Sequence, residues 1–402
     1  MTRAWQPSDL RAHHRALVLQ LLDESGLMSR SEIAHRSGLS IPTVTAILAD
    51  LMEQGRIVDA GLDPTSRRGP RPTMVTLARS TSQAVGVYLG IGKATIGRSD
   101  LAGAVHQLRR IRFNPGGSPA QVLRTVARAA APLVAAAGDQ LVGVGVAVPG
   151  PVDAAHRHIR LSLPLSWPDV AVADHLERSL GAPAVVEYNV QAMALAERRY
   201  GGRQQPGNLL YLHVATGVGF AFLVDGEPLA YGPHGVSELG HHRVAQEGPP
   251  CACGVPGCLE SVVNEPALVA RIAEAAENRP SLAAACEQQT HPLAALLVAE
   301  QAGDKVAARL LADFVDHVTT GLAAAINMLS PTRVVLGGIL AGAPQEVHQQ
   351  IRHALGPKVA QPLRDPLCVE PAVLRKYPGV LGAATVAFEQ LLFTARPAPS
   401  RR

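Results

Sequence analysis

The chain has 402 residues, of which 47% are hydrophobic, 3% aromatic and 17% charged, and its formal net charge is +4. This length predicts two or three domains with large cores built from Ala, Val and Leu, and the weak charge does not by itself indicate nucleic-acid binding. No apolar run is long enough to span a bilayer and no signal-peptide segment is recognised, so we expect a cytoplasmic protein without a membrane partner.

Two helices are predicted close to the N-terminus. Residues 8–24 repeat apolar side chains at helical spacing. Ser29 followed by Glu32 is a capping-box pattern, so a second, short helix is expected to begin there. The side of the first helix that is expected to be buried carries Leu10, Leu17 and Leu21.

A third helix is predicted after a glycine turn at Gly38. Its N-cap is Ser40, and Pro42 lies in the first turn, where the missing N–H costs no hydrogen bond. Two short helices joined by such a turn, with small polar residues at the start of the second, are typical of a DNA-binding helix-turn-helix. The residues expected to face DNA on this helix are Ser40, Pro42, Thr43 and Thr45.

A basic turn separates two segments that alternate like β-strands, residues 54–58 and 73–77. The turn carries Arg67, Arg68 and Arg71, whose guanidinium groups suit DNA phosphates or a narrow minor groove. The alternative is a helical protein-interaction module with a solvated basic loop. The order of helices, hairpin wing and arginines favours DNA binding.

The sequence changes character at Ala84, where apolar strands begin to alternate with glycine turns and Ala-rich helices. This pattern indicates an α/β fold. A helix is predicted from about Val190. Strands or hairpins are predicted at residues 85–100, 141–148, 184–187 and 208–223 and before Gly338.

Three of the five cysteines lie within eight positions, at C-x-C-x₄-C spacing, and His241 precedes them. Three thiolates and one imidazole make the tetrahedral ligand set of a structural zinc site. The alternatives are buried thiols or a disulfide, and a disulfide is disfavoured without a secretory signal. We therefore predict zinc as the cofactor. Its ligands are expected to be His241, Cys251, Cys253 and Cys258.

This order of segments resembles the winged-helix repressor branch of the ROK family, which comprises repressors, open reading frames and sugar kinases. The resemblance runs from about Leu10 to Leu392. The residues that carry it are Arg68-Gly-Pro-Arg-Pro72, Pro149-Gly-Pro-Val-Asp153, Glu187-Tyr-Asn-Val-Gln-Ala192, Ser237-Glu-Leu-Gly-His241, the cysteine motif through Glu260, and Val334-Val-Leu-Gly-Gly338.

The resemblance implies a two-lobed, actin-like sugar-kinase fold that follows the DNA-binding domain, with a cleft between the lobes. We expect the DNA-binding domain in residues 1–80. The first lobe is expected in residues 81–190 and 378–402, and the second lobe, with the zinc site and the dimer surface, in residues 191–377. Homodimers or tetramers are implied.

The resemblance also indicates that the catalytic machinery of the kinases is missing. Kinase members carry an Asp base where this chain has Asn189, and an amide does not accept a proton near neutral pH. They also carry Asp and Thr, which hold Mg²⁺ and phosphate, where this chain has Tyr88 and Gly92. The glycines at 217, 219, 337 and 338 match positions that approach nucleotide in relatives, but turns with positive φ suffice to explain them.

The sugar-binding residues of the family are better preserved. By resemblance they are Gly150, Asn189, Glu238, His241 and Glu260. The carboxylates accept hydrogen bonds from hydroxyls, and His241 would use one ring nitrogen for zinc and the other for sugar. The alternative for Glu238 is a surface carboxylate without a role.

We therefore expect a DNA-binding transcriptional regulator, most simply a repressor, whose kinase-like part senses a sugar or sugar derivative without phosphorylating it. Its partners would be double-stranded operator DNA and a carbohydrate effector. Two alternatives remain. One is an ATP-dependent sugar kinase, and the other is a repressor controlled by a protein partner.

Overall fold

The computed structural model describes residues 7–62, 71–202, 207–229 and 238–394. The predicted DNA contacts Arg67 and Arg68 lie outside these ranges. The chain forms two compact units, Met1–Ala192 with Gly379–Arg402, and Met193–Pro378. Within the described ranges, every helix is too short or too polar to cross a membrane.

The first unit begins with three helices and a small antiparallel sheet. Their order along the chain is α1 (Pro7–Ser25), β1 (Met28–Ser29), α2 (Arg30–Ser37), α3 (Ile41–Glu53), β2 (Ile57–Leu62) and β3 (Thr73–Leu77). The sheet has the order β1-β3-β2, so β2 and β3 form the predicted hairpin. This arrangement confirms the winged helix-turn-helix. Strand β1 was not predicted.

Local capping residues define the helix-turn-helix. The Ser29 hydroxyl accepts from the backbone N–H of Glu32, and the Glu32 carboxylate accepts in return from the Ser29 backbone N–H at 2.7 Å. Gly38 ends α2 with φ +71°, a left-handed conformation that glycine adopts without strain. The Ser40 hydroxyl accepts from the Thr43 backbone N–H at 3.3 Å and begins α3. All three predicted boundaries are confirmed.

The predicted buried side of α1 is partly wrong. Leu10 is 46% exposed, whereas Val18, Leu19 and Leu22 are fully buried. Burial along α1 begins only at Ala16, so the first turns of the helix carry no core face. Apolar spacing alone could not show where along the helix its packing begins.

A five-stranded sheet follows in the same unit. Its elements are β4 (Gln83–Gly90), β5 (Lys93–Asp100), β6 (Val105–Arg112), α4 (Pro119–Ala137), β7 (Leu141–Val148), α5 (Val172–Leu180), β8 (Ala184–Tyr188) and α6 (Asn189–Tyr200). The order is β6-β5-β4-β7-β8. Strands β4, β7 and β8 are parallel to one another, and β5 pairs antiparallel with both of its neighbours, β4 and β6. Helix α6 continues into the second unit.

The second unit contains a sheet with the same plan. Its elements are β9 (Leu209–Val214), β10 (Val218–Val224), β11 (Glu227–Pro228), α7 (Leu259–Val263), α8 (Glu265–Ala276), α9 (Pro280–Gln288), α10 (Pro292–Gln301), α11 (Lys305–Leu329), β12 (Arg333–Gly338), α12 (Gln345–Leu355), α13 (Gln361–Arg364) and β13 (Cys368–Pro371). The order is β11-β10-β9-β12-β13, with β9, β12 and β13 parallel. Two sheets of one plan are what a two-lobed, actin-like fold requires.

The chain returns to the first unit in α14 (Pro378–Leu391), which lies directly on the first sheet. A Cβ atom at Gly86 would overlap the Val380 carbonyl oxygen, and one at Gly145 would overlap the Ala383 carbonyl oxygen. These two glycines therefore allow the helix backbone to approach the strands closely.

The winged helix is attached to the first sheet by hydrogen bonds. The Arg56 guanidinium donates to the carbonyl oxygens of Gln140 at 2.9 Å and Leu141 at 3.0 Å, where β7 begins. The Gln20 amide donates to the Phe393 carbonyl oxygen at 3.0 Å. The DNA-binding segment and the first sheet consequently belong to one compact unit.

Candidate functional site

Four potential metal ligands converge in the second unit. The ligand atoms of His241, Cys251, Cys253 and Cys258 all lie within 4.8 Å of one another. The distance from the His241 Nδ1 to the Cys251 Sγ is 3.4 Å, and the Sγ atoms of Cys253 and Cys258 are 3.6 Å apart. The sequence motif therefore forms a cluster that could hold a metal ion.

The donor set and its spacing fit zinc. Tetrahedral zinc with Zn–S near 2.3 Å and Zn–N near 2.0 Å separates its ligand atoms by roughly 3.5–3.8 Å. The measured distances of 3.4 and 3.6 Å are close to this range. A disulfide would need an S–S distance of about 2.05 Å, and all three cysteines are free.

Short local structures hold the ligands in place. His241 ends a 3-10 helix, Leu239–His241, and Cys258 is the N-cap of α7. Gly254 and Gly257 have φ +90° and +75°, which bends the loop that joins the cysteines. A Cβ at Gly257 would overlap the Ala245 carbonyl oxygen, so the loop is pressed against the segment that follows His241.

The three thiols differ in environment. Burial, together with hydrogen bonds to the neighbouring thiols, raises the pKa of Cys258 to about 12. Burial also raises the pKa of Cys251. Cys253 is exposed, and a hydrogen bond from the Val255 backbone N–H lowers its pKa. Burial thus disfavours the thiolate forms of Cys251 and Cys258, and a cation held between the ligands would favour them.

Two carboxylates lie beside the cluster. The Glu260 Oε2 accepts a hydrogen bond of 2.9 Å from the Val218 backbone N–H. Glu238 is accessible to solvent, but enough protein surrounds its carboxyl group that burial raises its pKa; Glu260 raises that pKa further and His241 lowers it. Glu238 thus interacts electrostatically with the other two predicted sugar ligands of this unit, His241 and Glu260.

The glycines of this unit correct the sequence interpretation. Gly338 has φ +66°, as expected for a turn, but Gly217 and Gly337 do not have positive φ. A Cβ at Gly217 would lie 2.7 Å from the Glu260 Oε2, and one at Gly337 would contact the Tyr211 hydroxyl at 2.5 Å. Space, and not backbone conformation, therefore accounts for glycine at these two positions.

The first unit pairs the two residues that replace kinase residues. Burial raises the pKa of Tyr88, and a hydrogen bond from the Asn189 side chain lowers it. The Asn189 amide therefore donates to the Tyr88 hydroxyl. The Tyr88 ring also lies against Gly379, where an added Cβ would overlap it. Tyr88 and Asn189 are far apart in the sequence, and nothing local in the sequence indicated their contact.

Gly150 belongs to the loop after β7. Its φ is +142°, and a Cβ there would overlap the Leu161 carbonyl oxygen. Glycine is thus required for the conformation of this loop, whatever the loop binds. Gly150 and Asn189 lie in the first unit, whereas the other predicted sugar ligands lie in the second.

The described DNA-facing candidates of the winged helix differ in exposure. Ser40, Pro42 and Thr45 are exposed, and Thr43 is half-buried. Arg71, just before β3, is exposed. Sequence reasoning missed Ile41, whose side chain is 57% exposed beside them. The sequence did contain a signal: Ile41 lies outside the apolar stripe of α3, which indicates that its side chain is not part of the core.

Comparison with known proteins identifies two families on this chain. Residues 84–390 match the ROK family, and residues 12–58 match a winged helix-turn-helix DNA-binding family. The chain is 23% identical over 385 residues to the xylose repressor of Bacillus spizizenii, with 95% of this chain and 96% of the relative aligned.

Two solved structures resemble the fold. A ROK family transcriptional regulator, described as a homologue of the E. coli MLC protein, superposes with a TM-score of 0.78 at 22% identity and covers 96% of this chain and 97% of its own. A ROK hexokinase from Thermus thermophilus superposes with a TM-score of 0.61 at 29% identity over 76% of this chain and 98% of its own. The hexokinase match leaves about a quarter of this chain uncovered, whereas the regulator match covers nearly all of it.

Proposed function

This chain belongs to the ROK family, and from that premise we propose that it is a transcriptional repressor that binds operator DNA and senses a sugar without phosphorylating it. One observation carries the proposal. A DNA-binding family match at residues 12–58 and a ROK match at residues 84–390 occur on a single chain. Such a regulator acts in the cytoplasm, where operator DNA lies.

We propose that His241, Cys251, Cys253 and Cys258 hold a structural zinc ion. Zinc would cross-link the cysteine loop and the 3-10 helix. With the Nδ1 of His241 turned to the cluster, its Nε2 remains for a second partner. Fixing the ring in this way would orient the Nε2 toward a sugar hydroxyl.

The effector would be held by hydrogen bonds to its hydroxyl groups. The Glu260 Oε2 already accepts from the Val218 backbone N–H, which leaves the Oε1 for a ligand. Glu238 and His241 would complete the contacts of the second unit. Gly150 and Asn189 remain the predicted contacts of the first unit, and the Asn189 Oδ1 can accept because its amide N–H donates to Tyr88.

Regulation would act through the geometry of the DNA-binding segments. One winged helix covers only a few base pairs, so a homodimer or tetramer is needed to read two half-sites about 34 Å apart. Ser40, Pro42, Thr43 and Thr45 would face the major groove. Arg67, Arg68 and Arg71 would contact phosphates or the minor groove. A sugar with different affinities for two conformations would change the spacing of the two copies and weaken, or less commonly strengthen, DNA binding.

The test is a titration of DNA binding against a panel of carbohydrates. Full-length protein is bound to a duplex selected from a random library, and pentoses, hexoses and N-acetylhexosamines are then added. We expect at least one sugar to change the affinity for DNA. If the protein binds no duplex, either alone or with any of the sugars, the proposal is wrong. A protein that binds DNA but answers to no sugar would instead be controlled by a protein partner.

The kinase alternative is favoured by one observation, the 29% identity to a ROK hexokinase. Against it, Asn189 and Tyr88 occupy positions where kinase relatives carry acidic residues, and loss of a general base alone costs roughly 10²–10⁴ in rate. A coupled assay for ADP with hexoses and N-acetylhexosamines decides between the two. Turnover above the sugar-free background would reverse the ranking.

A further inference from the structure

The outer face of α3 is apolar, although it belongs to the helix that would enter the major groove. Its inner face is formed by the buried side chains of Val44, Leu48 and Leu51. From Ile41 to Ala49 the outer face is exposed and consists of small or methyl-bearing side chains, and the exposed carboxylate of Glu53 follows only at the end of the helix. Its members are Ile41, Pro42, Thr45, Ala46 and Ala49.

The side chains that usually read bases are missing from this face. Guanine is read most often by Arg or Lys and adenine by Asn or Gln, and none of these residue types occurs between Ile41 and Ala49. The next amide along the helix, Gln54, donates to the Asp50 carboxylate at 2.7 Å. Asp50 also forms an ion pair with Arg15 at 3.2 Å. These polar groups therefore bond to one another and link α1 to α3.

The hydroxyl groups at the start of α3 are also engaged. The Ser40 hydroxyl accepts from the Thr43 backbone N–H and lies 2.8 Å from the Thr43 hydroxyl. What α3 offers to the base edges is therefore mainly methyl and methylene surface. The base feature complementary to such a surface in the major groove is the C5-methyl group of thymine.

We propose that α3 selects its operator by packing Ile41, Thr45, Ala46 and Ala49 against thymine methyl groups. This inference rests on the proposed function and adds the base class that the helix reads. The basic wing would contact phosphates or the minor groove. The C5-methyl group of thymine lies in the major groove, so it would not affect these contacts. Specificity in the major groove would then come from apolar contact.

The experiment compares thymine with uracil, which differ only by that methyl group. A duplex is first selected from a random library with the full-length protein. It is then synthesised again with every dT replaced by dU, and both forms are titrated by fluorescence anisotropy. We expect the dU duplex to bind more weakly, by roughly fourfold for each methyl group buried. A scrambled duplex with the same substitution is expected to show no change.

A variant locates the effect on α3. Thr45→Ser removes one methyl group and keeps the hydroxyl, so it is expected to weaken binding to the dT duplex several-fold and to have a smaller effect on the dU duplex. Thr125→Ser in α4 is the matched control, because that hydroxyl bonds within its own helix to the Gln121 carbonyl oxygen at 3.0 Å. The control is expected to bind both duplexes like the unaltered protein.

The results separate this inference from the proposed function. Equal binding of the dT and dU duplexes, or selected sites defined by G·C pairs, would overturn the methyl contacts while leaving a DNA-binding regulator. If the selection enriches no sequence at all, both the inference and the proposed function are lost.

Discussion

Cys253 gives the sharpest test of the metal site at the scale of single residues. Its thiol is exposed, so its packing contributes little to stability. A large effect of replacing it would therefore indicate a bound metal. Cys253→Ser is expected to lower the zinc content from about one per chain and to destabilise the second unit, because metal-binding energy is also folding energy. Elemental analysis and thermal unfolding measure the two effects.

Cys286→Ser is the control for that variant, because Cys286 is half-buried in α9 and outside the cluster. It is expected to keep the full zinc content. A zinc-free unaltered protein, or a Cys253→Ser protein as stable as the parent, would remove the metal from the account.

Gly217 tests whether Glu260 binds the effector. In Gly217→Ala the new Cβ would lie 2.7 Å from the Glu260 Oε2 and displace the carboxylate. We expect a tenfold or larger loss of sensitivity to sugar in the DNA-binding titration, with zinc content and sugar-free DNA affinity unchanged. Gly356→Ala, where an added Cβ meets nothing within 4 Å, is the matched control. A full sugar response in Gly217→Ala would exclude Glu260 as a ligand.

His213 predicts a pH dependence of stability. Burial lowers its pKa to about 4, so the folded protein keeps the ring neutral while the unfolded chain protonates near pH 6.5. The stability of the second unit is expected to fall as the pH drops from 6.5 to 4, by up to about 3 kcal/mol. Urea unfolding at each pH compares the parent with His213→Gln, and zinc release cancels in the difference between the two. An identical pH slope in both proteins would contradict this assignment.

The sequence also shows, at this scale, what a motif can and cannot predict. The ligands of the cysteine cluster are close in the chain, and their spacing was sufficient to group them. Tyr88 and Asn189 are about a hundred residues apart, and their hydrogen bond depends on the parallel pairing of β4, β7 and β8. Only the folded sheet brings them together.

At the scale of elements, boundaries set by local chemistry were predictable. The caps at Ser29 and Ser40 and the glycine turn between them depend on residues within one helical turn. Strand β6 was not predicted, because its arginines interrupt the alternation of apolar and polar residues that indicates a strand. Its backbone is also irregular, since Gln107 has a positive φ. Its position follows from pairing with β5, which is a tertiary contact.

Arg56 is expected to couple the winged helix to the sensor. Its guanidinium holds the start of β7 through two carbonyl groups, and β7 leads directly to the loop that contains Gly150. Arg56→Ala should leave DNA affinity without sugar within about twofold and reduce the sugar-induced change by several-fold, a loss on the scale of 1 kcal/mol of coupling. Anisotropy titrations with and without sugar measure both.

Arg36→Ala provides the comparison for Arg56. The Arg36 guanidinium bonds Ser25 and Glu24, both within the DNA-binding segment. Its removal is expected to leave the sugar response unchanged. If both variants lose the sugar response equally, or if neither loses it, Arg56 does not couple the winged helix to the sensor.

At the scale of the whole molecule, the two large sheets repeat one strand order and one pattern of strand directions. The sequence predicted an α/β fold from strands, turns and Ala-rich helices, but it gave no sign of this repetition except through resemblance. Strand order results from pairings such as β9 with β12, which are more than a hundred residues apart. Periodicity in a short window carries no information about them.

The size of the regulatory effect follows from the energetics of two conformations. A sugar can shift their populations only by the difference between its affinities for them. Changing a ratio of 1:99 to 99:1 requires about 5.5 kcal/mol, and a tenfold change in DNA affinity requires about 1.4 kcal/mol. Three or four well-placed hydrogen bonds to a sugar can supply the smaller amount.

We propose that this kinase-like chain senses a sugar and does not phosphorylate it. One titration tests both halves: full-length protein on its selected duplex, with ATP and Mg²⁺ present, receives each sugar while DNA anisotropy and ADP are followed in the same sample. We predict at least a tenfold change in DNA affinity with one sugar, and ADP at the sugar-free background. Accumulation of ADP with any sugar, or an unchanged DNA affinity with all of them, would contradict the claim.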